Sequence, residues 1–234
     1  MKDTTVLRKK SGVTGFDELI EGGFPENSVI LLSGTCGTGK TIFGLQYLIN
    51  GTENGERGLY LSLEEPESRI IRDAELFGWD MDTMTKDKGL LIKRSEIEDW
   101  QNFVAELEDI IKSNKITRIV VDSISLLATY FRDKYDARRN VFELIELLKS
   151  LNTTAILISE VDEEHLGLSN QGIAEFITDG VVVLYYWKQR DHYLRGISVR
   201  KMRSTDHSQR IHPLKIKKSK GVQVFPGEEL FGEA

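Results

Sequence analysis

The sequence predicts an α/β fold: a mostly parallel, doubly wound sheet with a C-terminal antiparallel β extension. Three observations carry this. Short apolar runs alternate with helix-periodic segments between residues 28 and 159. A glycine-rich turn joins the first of those runs to the first helix. After residue 180, four β-like runs follow one another with no helical pattern between them.

The elements follow in order. Ser28–Ser33 (SVILLS) is a buried strand, and Lys40–Asn50 a helix. Gly58–Leu63 (GLYLSL) is a second strand and Glu67–Phe77 a second helix, with Leu90–Lys93 a short strand. Trp100–Asn114 places Phe103, Leu107, Ile110 and Ile111 on one helical face. Arg118–Asp122 (RIVVD) is an apolar strand closed by an acid. Val141–Leu151 is a helix with Val141, Leu144, Ile145, Leu148 and Leu151 on one face, followed by the buried strand Thr154–Ser159. Val181–Trp187, Tyr193–Arg200, Pro213–Lys217 and Val222–Phe225 form the extension. Residues 11–226 read as one domain, with tails at 1–10 and 227–234.

Composition narrows the class. The chain has 234 residues, 40% apolar and 29% charged, which suits a globular protein that needs no disulfide or metal to fold. Cys36 is the single cysteine, so an intrachain disulfide and a cysteine-based zinc site are excluded. No apolar run is long enough to span a bilayer, and the first twelve residues lack the apolar core of a signal peptide. A cytoplasmic protein with no membrane partner is expected. Net charge is −6, which argues against a dedicated nucleic-acid binder. Basic residues nevertheless gather between Lys201 and Lys220, where Asp206 is the lone acid. That face suits an acidic surface on this chain or on a neighbouring subunit.

Gly34-Thr35-Cys36-Gly37-Thr38-Gly39-Lys40-Thr41 fits G-x-x-x-x-G-K-[ST] in full. A chance match in a chain this long is roughly one in a hundred. The motif also stands between a strand and a helix, as it must. Glycines let successive backbone N–H groups turn inward around phosphate oxygens, and the helix N-terminus adds a positive field. Lys40 reaches the β- and γ-phosphates and the Thr41 hydroxyl binds Mg²⁺. Cys36 fits as a small residue at a variable position; a redox role is the alternative.

Two acidic groups end strands beside this loop. Asp122 is placed to hold the shell of the Mg²⁺ ion. Glu64 and Glu65 close the neighbouring strand, where the C-terminal strand ends open onto the ligand crevice. Two carboxylates there can divide the work, one taking the proton of an attacking water and the other, Glu65, supporting the metal. The competing reading is an acidic helix start with Pro66 at the first helical position.

The segments LLSGTCGTGKTIF, LYLSLEEPESRI, FGWD, RIVVDS, GIAEFITDGVVVL and KMRSTDHSQRIHP, in this order, resemble the KaiC-like ATPases of the RecA superfamily, and the single-domain archaeal members above all. The resemblance covers about residues 10–226. It implies a RecA-like P-loop NTPase core, ATP and Mg²⁺ as ligands, and ATP hydrolysis. It also implies ring assembly, commonly a hexamer, with ATP between subunits. It puts the loop on Gly34–Thr41, the metal acid on Asp122 and the catalytic pair on Glu64 and Glu65. Lys201, Met202, Arg203, Thr205 and His207 would contact the nucleotide held by the adjacent subunit. Lys201 and Arg203 stand two apart at a strand end, so they point to one side, as a γ-phosphate approached from outside requires.

The chain departs from the family in three places. Ser204 stands where a Gly often follows the Arg, and Leu76 where the clock member has a Ser near the adenine. Glu175 and Phe176 occupy the positions of the Ser-Thr pair that is autophosphorylated in the clock protein's second domain. The chain thus follows the first, ATPase-type domain, with Thr178 the remaining candidate acceptor for a kinase activity. A nucleotide-dependent binding switch, an auxiliary recombination factor and a protein kinase are the alternatives to a slow ATPase. An unknown protein partner would read the output. Nucleic acid is disfavoured by the acids Glu160, Asp162, Glu163 and Glu164; Thr129–Arg139 is mixed, with Arg132, Lys134, Arg138 and Arg139 against Asp133 and Asp136, and its Tyr130, Phe131 and Tyr135 suit stacking on bases or packing between subunits equally. His207 and His212 are close in sequence but lack the acid or Cys that completes a metal site.

Overall fold

A computed structural model describes residues 6–131, 133–161, 174–228 and 230. Its elements are β1 (Arg8–Lys9), β2 (Phe24–Pro25), β3 (Val29–Gly34), α1 (Lys40–Glu53), β4 (Gly58–Ser62), α2 (Glu67–Glu75), α3 (Met81–Lys86), β5 (Leu90–Arg94), α4 (Trp100–Asn114) and β6 (Arg118–Asp122). Then follow α5 (Leu127–Tyr130), α6 (Lys134–Ser150), β7 (Thr154–Glu160), α7 (Ala174–Ile177), β8 (Gly180–Gln189), β9 (His192–Met202), β10 (His212–Lys217) and β11 (Gly221–Val224).

One nine-stranded sheet organises the chain, in the order β11-β10-β9-β8-β3-β7-β6-β4-β5. Strands β8, β3, β7, β6, β4 and β5 are parallel; β9, β10 and β11 add in antiparallel fashion. This is the predicted architecture. The central strands are buried on both faces, which explains their unbroken apolar runs. One face packs Ile30, Leu32, Tyr60, Val120 and Ile158 against Phe43 and Tyr47 of α1. The other packs Leu31, Leu59, Val121 and Leu157 against Phe103 and Leu107 of α4 and Leu144 and Leu148 of α6.

The structure corrects the sequence reading at three points, besides shifts of one to three residues at other element ends. Helix α6 begins at Lys134 rather than Val141, because the Asp133 side chain accepts a hydrogen bond from the Asp136 N–H and caps it. Lys134–Arg139 are therefore helical, and the Tyr130 hydroxyl donates to the Glu98 carbonyl. Pro66 precedes α2 in extended conformation instead of forming its first turn. Residues 8 and 9 are structured too: β1 pairs with β2. Lys9 ion-pairs with Glu56, which also binds the buried Arg118 at 2.7 Å. No helix among the described residues is long and apolar enough to cross a membrane.

Candidate functional site: a P-loop with strand-end acids

Parallel β3, β7, β6 and β4 all end at the same edge of the sheet, so Gly34, Glu160, Asp122 and Ser62 arrive together. The glycine-rich segment leaves β3 there and turns into α1. Gly37 and Gly39 hold positive φ, 74° and 102°. At Gly34 a Cβ would lie 2.6 Å from the Leu184 carbonyl oxygen, so only glycine lets the loop start this close to β8. The Thr38 hydroxyl ties the loop by donating to the Thr35 carbonyl at 2.9 Å.

The loop's polar groups are arranged for an anion. Lys40 is buried at 5% exposure, and its ammonium donates to the Gly34 and Thr35 carbonyls at 3.0 and 2.9 Å. Glu160 stands 3.5 Å from it. Among the described residues the buried Thr35 hydroxyl has no partner. Phosphate oxygens fit that inventory: the ammonium and the hydroxyl would both gain acceptors.

The Thr41 hydroxyl donates to Asp122 at 2.9 Å, and the Tyr60 hydroxyl donates to the same carboxylate oxygen. Burial raises the Asp122 pKa, although both hydroxyls and Lys40 pull it down. Burial together with the Asp122 charge holds the Tyr60 phenol well above its ordinary range, so it remains a donor. Among the described residues no three His, Cys, Asp or Glu side chains converge to hold a metal by themselves. Mg²⁺ does not need them. It binds through one or two protein oxygens, substrate phosphates and water, and the Thr41–Asp122 pair supplies that kind of donor.

A cleft of about 410 Å³ opens beside this pair, lined by Thr41, Asp122, Glu64, Glu65, Leu76 and Phe77 among others. Glu64 accepts from the Ser123 hydroxyl at 2.9 Å. Glu65 instead ion-pairs with Arg69 at 2.9 Å, one turn into α2. The two carboxylates share the cleft but face different partners.

The C-terminal cations lie elsewhere. β9 runs antiparallel to β8 and ends where β8 begins, Met202 beside Gly180. That is the opposite edge of the sheet, about 20 Å from this chain's own loop for a six-residue strand. Arg203 is exposed and contacts Asp179 at 3.3 Å. Lys201 was expected beside it as a second free cation. Its ammonium instead donates to the carbonyls of Glu175, Phe176 and Thr178, and desolvation lowers its pKa. Met202 is buried, Thr205 accepts from Arg8 at 2.9 Å, and His207 meets the Ser208 carbonyl at 3.0 Å. His212 is buried against the Ser208 hydroxyl at 2.7 Å. Thr178 is fully buried and donates to Ala174, so it is not available as a phosphate acceptor. Cys36 is exposed. Asp162, Glu163, Glu164 and Arg132 lie outside the described residues.

The family profile described as "ATPase: KaiC" matches residues 9–229. The chain belongs to the KaiC family of ATPases. A crystal structure of a KaiC-like protein from the archaeon Pyrococcus horikoshii superposes with a TM-score of 0.87 at 37% identity, over 95% of this chain and 100% of that one. The "UPF0273 protein" of Aeropyrum pernix is 35% identical, with 94% of each chain covered. The circadian clock protein KaiC3 of Synechocystis is 31% identical, but the match spans 46% of its length. The KaiC-family chain described here therefore corresponds to about half of that clock protein.

Sequence reasoning missed four residues around the site: Tyr60, Ser123, Glu160 as a Lys40 partner, and Arg195. Glu160 carried a usable signal, an acid ending an apolar strand as Asp122 does. Arg195 carried none.

Proposed function

We propose that this KaiC-family chain binds ATP with Mg²⁺ and hydrolyses it slowly, as a cytoplasmic ring of identical subunits, most simply a hexamer. The observation that carries the reading is the Thr41–Asp122 contact at the mouth of a cleft that Glu64 and Glu65 line. The amides of Thr35–Thr41 bind the phosphates, and Lys40 exchanges its loop carbonyls for phosphate oxygens. Thr41 and Asp122, with Glu65, hold Mg²⁺, which when bound neutralises charge on the phosphates. Glu64, anchored by Ser123, takes the proton of the attacking water. Arg203 meets the γ-phosphate of the adjacent subunit, and Lys201 follows by trading its carbonyl partners. Met202, Thr205 and His207 shape the same segment.

The trans assignment is supported by topology: Arg203 sits at the sheet edge opposite this chain's own loop. The test is steady-state ATP hydrolysis with Mg²⁺ over a series of protein concentrations, with Glu64→Gln as blank. Activity per subunit that rises and then saturates is the expected result. No activity above the blank at any concentration would remove the hydrolase reading and leave a nucleotide-dependent switch, whose output an unknown protein partner reads.

A further inference from the structure

We infer that Arg195, together with Tyr186, is a positioning residue for the phosphate-binding loop. The inference rests on the reading of Gly34–Thr41 as an ATP site and goes beyond it, since neither residue belongs to the motif.

The argument starts from strand lengths. β3 ends at Gly34, level with Leu184 of β8. β8 continues to Gln189 and β9 returns from His192, so the β8–β9 hairpin overhangs the loop. In that overhang Tyr186 and Arg195 are directly opposed and share a face. It is the face on which Ile30, Leu32, Val182 and Leu184 pack toward α1, the side to which the loop turns. A Cβ at Gly37 would touch the Tyr186 ring at 3.8 Å.

Arg195 is held from two directions. Its guanidinium lies over the Tyr186 ring, 4.2 Å from the centroid. Its Nε and one Nη both donate to the Gly37 carbonyl at 3.1 Å. Gly37 is exposed and has a positive φ of 74°, a conformation with many alternatives in a free loop. Fixing its carbonyl outward, toward Arg195, turns the neighbouring amides inward toward the phosphates. Lys40 binds the carbonyls of Gly34 and Thr35, so the two cations grip different parts of the loop. Lys40 must leave for the phosphates; Arg195 need not move. Among the described residues no acid lies within ion-pairing distance of Arg195, so its charge also adds to the field at the loop. The planar fork and the stacking require Arg; a lysine keeps only the charge.

Direct titration of ATP, monitored by calorimetry without turnover, tests this on the full chain, the Arg195→Ala and Arg195→Lys variants, and Tyr186→Leu. Thermal melts accompany each, so that loss of folding is recognised. Arg195→Ala should weaken ATP binding about tenfold, the effect of one lost charged hydrogen-bonding group. KM should rise by a similar factor, with kcat at saturation changed far less. Arg195→Lys should recover only part of the affinity. Tyr186→Leu, which leaves Arg195 in place, should weaken binding in the same direction by less. Unchanged affinity in Arg195→Ala overturns the inference, as does full recovery with lysine, which would reduce the residue to a source of charge. Absence of ATP binding by the unsubstituted chain overturns the site reading itself, and the inference with it.

Discussion

The two edges of the parallel sheet carry polar groups in opposite states. At the loop edge they are held but not consumed. Lys40 rests on carbonyls, the Thr35 hydroxyl lacks a partner among the described residues, and Asp122 is half-buried with its charge met by hydroxyls and one lysine. At the far edge the groups are tied within the chain. Arg8 binds Glu21 and Thr205, Lys149 and Arg203 share Asp179, and Arg118 is enclosed by Glu56. Both edges contain cations and carboxylates, so composition does not separate chemistry from architecture. What separates them is whether the hydrogen-bonding capacity is already met inside the chain. Arg203 is the exception at the far edge, since it remains exposed beyond its one contact.

The largest expected effect tests that exception. Arg203→Ala should lower kcat by about 10³–10⁵, the range for a cation completing a phosphoryl-transfer site in trans. Mixed with Glu64→Gln subunits, it should regain some activity, because one interface in a mixed ring then has both groups intact. If Arg203→Ala hydrolyses ATP normally, the far edge is architecture throughout and the contrast becomes complete.

Next in size is Glu64→Gln, expected to cost about 10²–10⁴ in kcat, as removal of a general base does, while ATP affinity holds. A matching loss on Glu65→Gln alone, with Glu64→Gln mild, would reverse the two roles and put the base on the carboxylate that faces Arg69. Thr41→Ala comes third. It should raise the Mg²⁺ concentration for half-maximal activity by about 10- to 100-fold, the cost of losing a group that orients the metal site. Insensitivity to Mg²⁺ in both proteins would remove the metal from the loop edge.

The contrast also sorts what could be read from the sequence. The loop edge was legible because its chemistry is local. Eight consecutive residues make the glycine-rich loop proposed to cradle phosphate, and Asp122, Glu64 and Glu65 each end an apolar run. The doubly wound order was legible for the same reason, through alternation of strand and helix patterns. Contacts that join distant segments were not. Arg195 meets Gly37 across 158 positions, and nothing near either residue announces the other. Lys201 looked like a free cation because its partners are backbone carbonyls of a four-residue helix and of the residue after it, which leave no mark on the sequence. Residues 8 and 9 looked like a tail because two-residue strands have no periodicity to detect. The start of α6 was hidden differently. The Asp133 cap was present, but seven residues, all but Ala137 polar or aromatic, follow before the apolar stripe begins.

The smallest expected effect concerns stability, and it tests whether the far edge is architecture. Burial raises the Glu56 pKa, but hydrogen bonds and charge from Arg118 and Lys9 outweigh it and leave the carboxyl at about 2. Its ordinary value is 4.5, so the folded state favours the ionised form. A depressed carboxylate pKa contributes stability in full above the unfolded value and loses it as pH falls through the folded one. The shift corresponds to roughly 3 kcal/mol, an order-of-magnitude figure. Glu56→Gln should therefore melt well below the unsubstituted protein at pH 7, by several degrees for a domain of this size. The gap should close between about pH 4.5 and pH 2, where the unsubstituted protein protonates Glu56 and loses the same pairing. ATP turnover at pH 7, measured well below the lower melting temperature, should be nearly unchanged, because Glu56 and Arg118 lie at the end of the sheet away from the loop. A large fall in turnover with no change in melting would mean that the far edge reaches the chemistry, and that the two ends of the parallel strands are coupled rather than divided in their work.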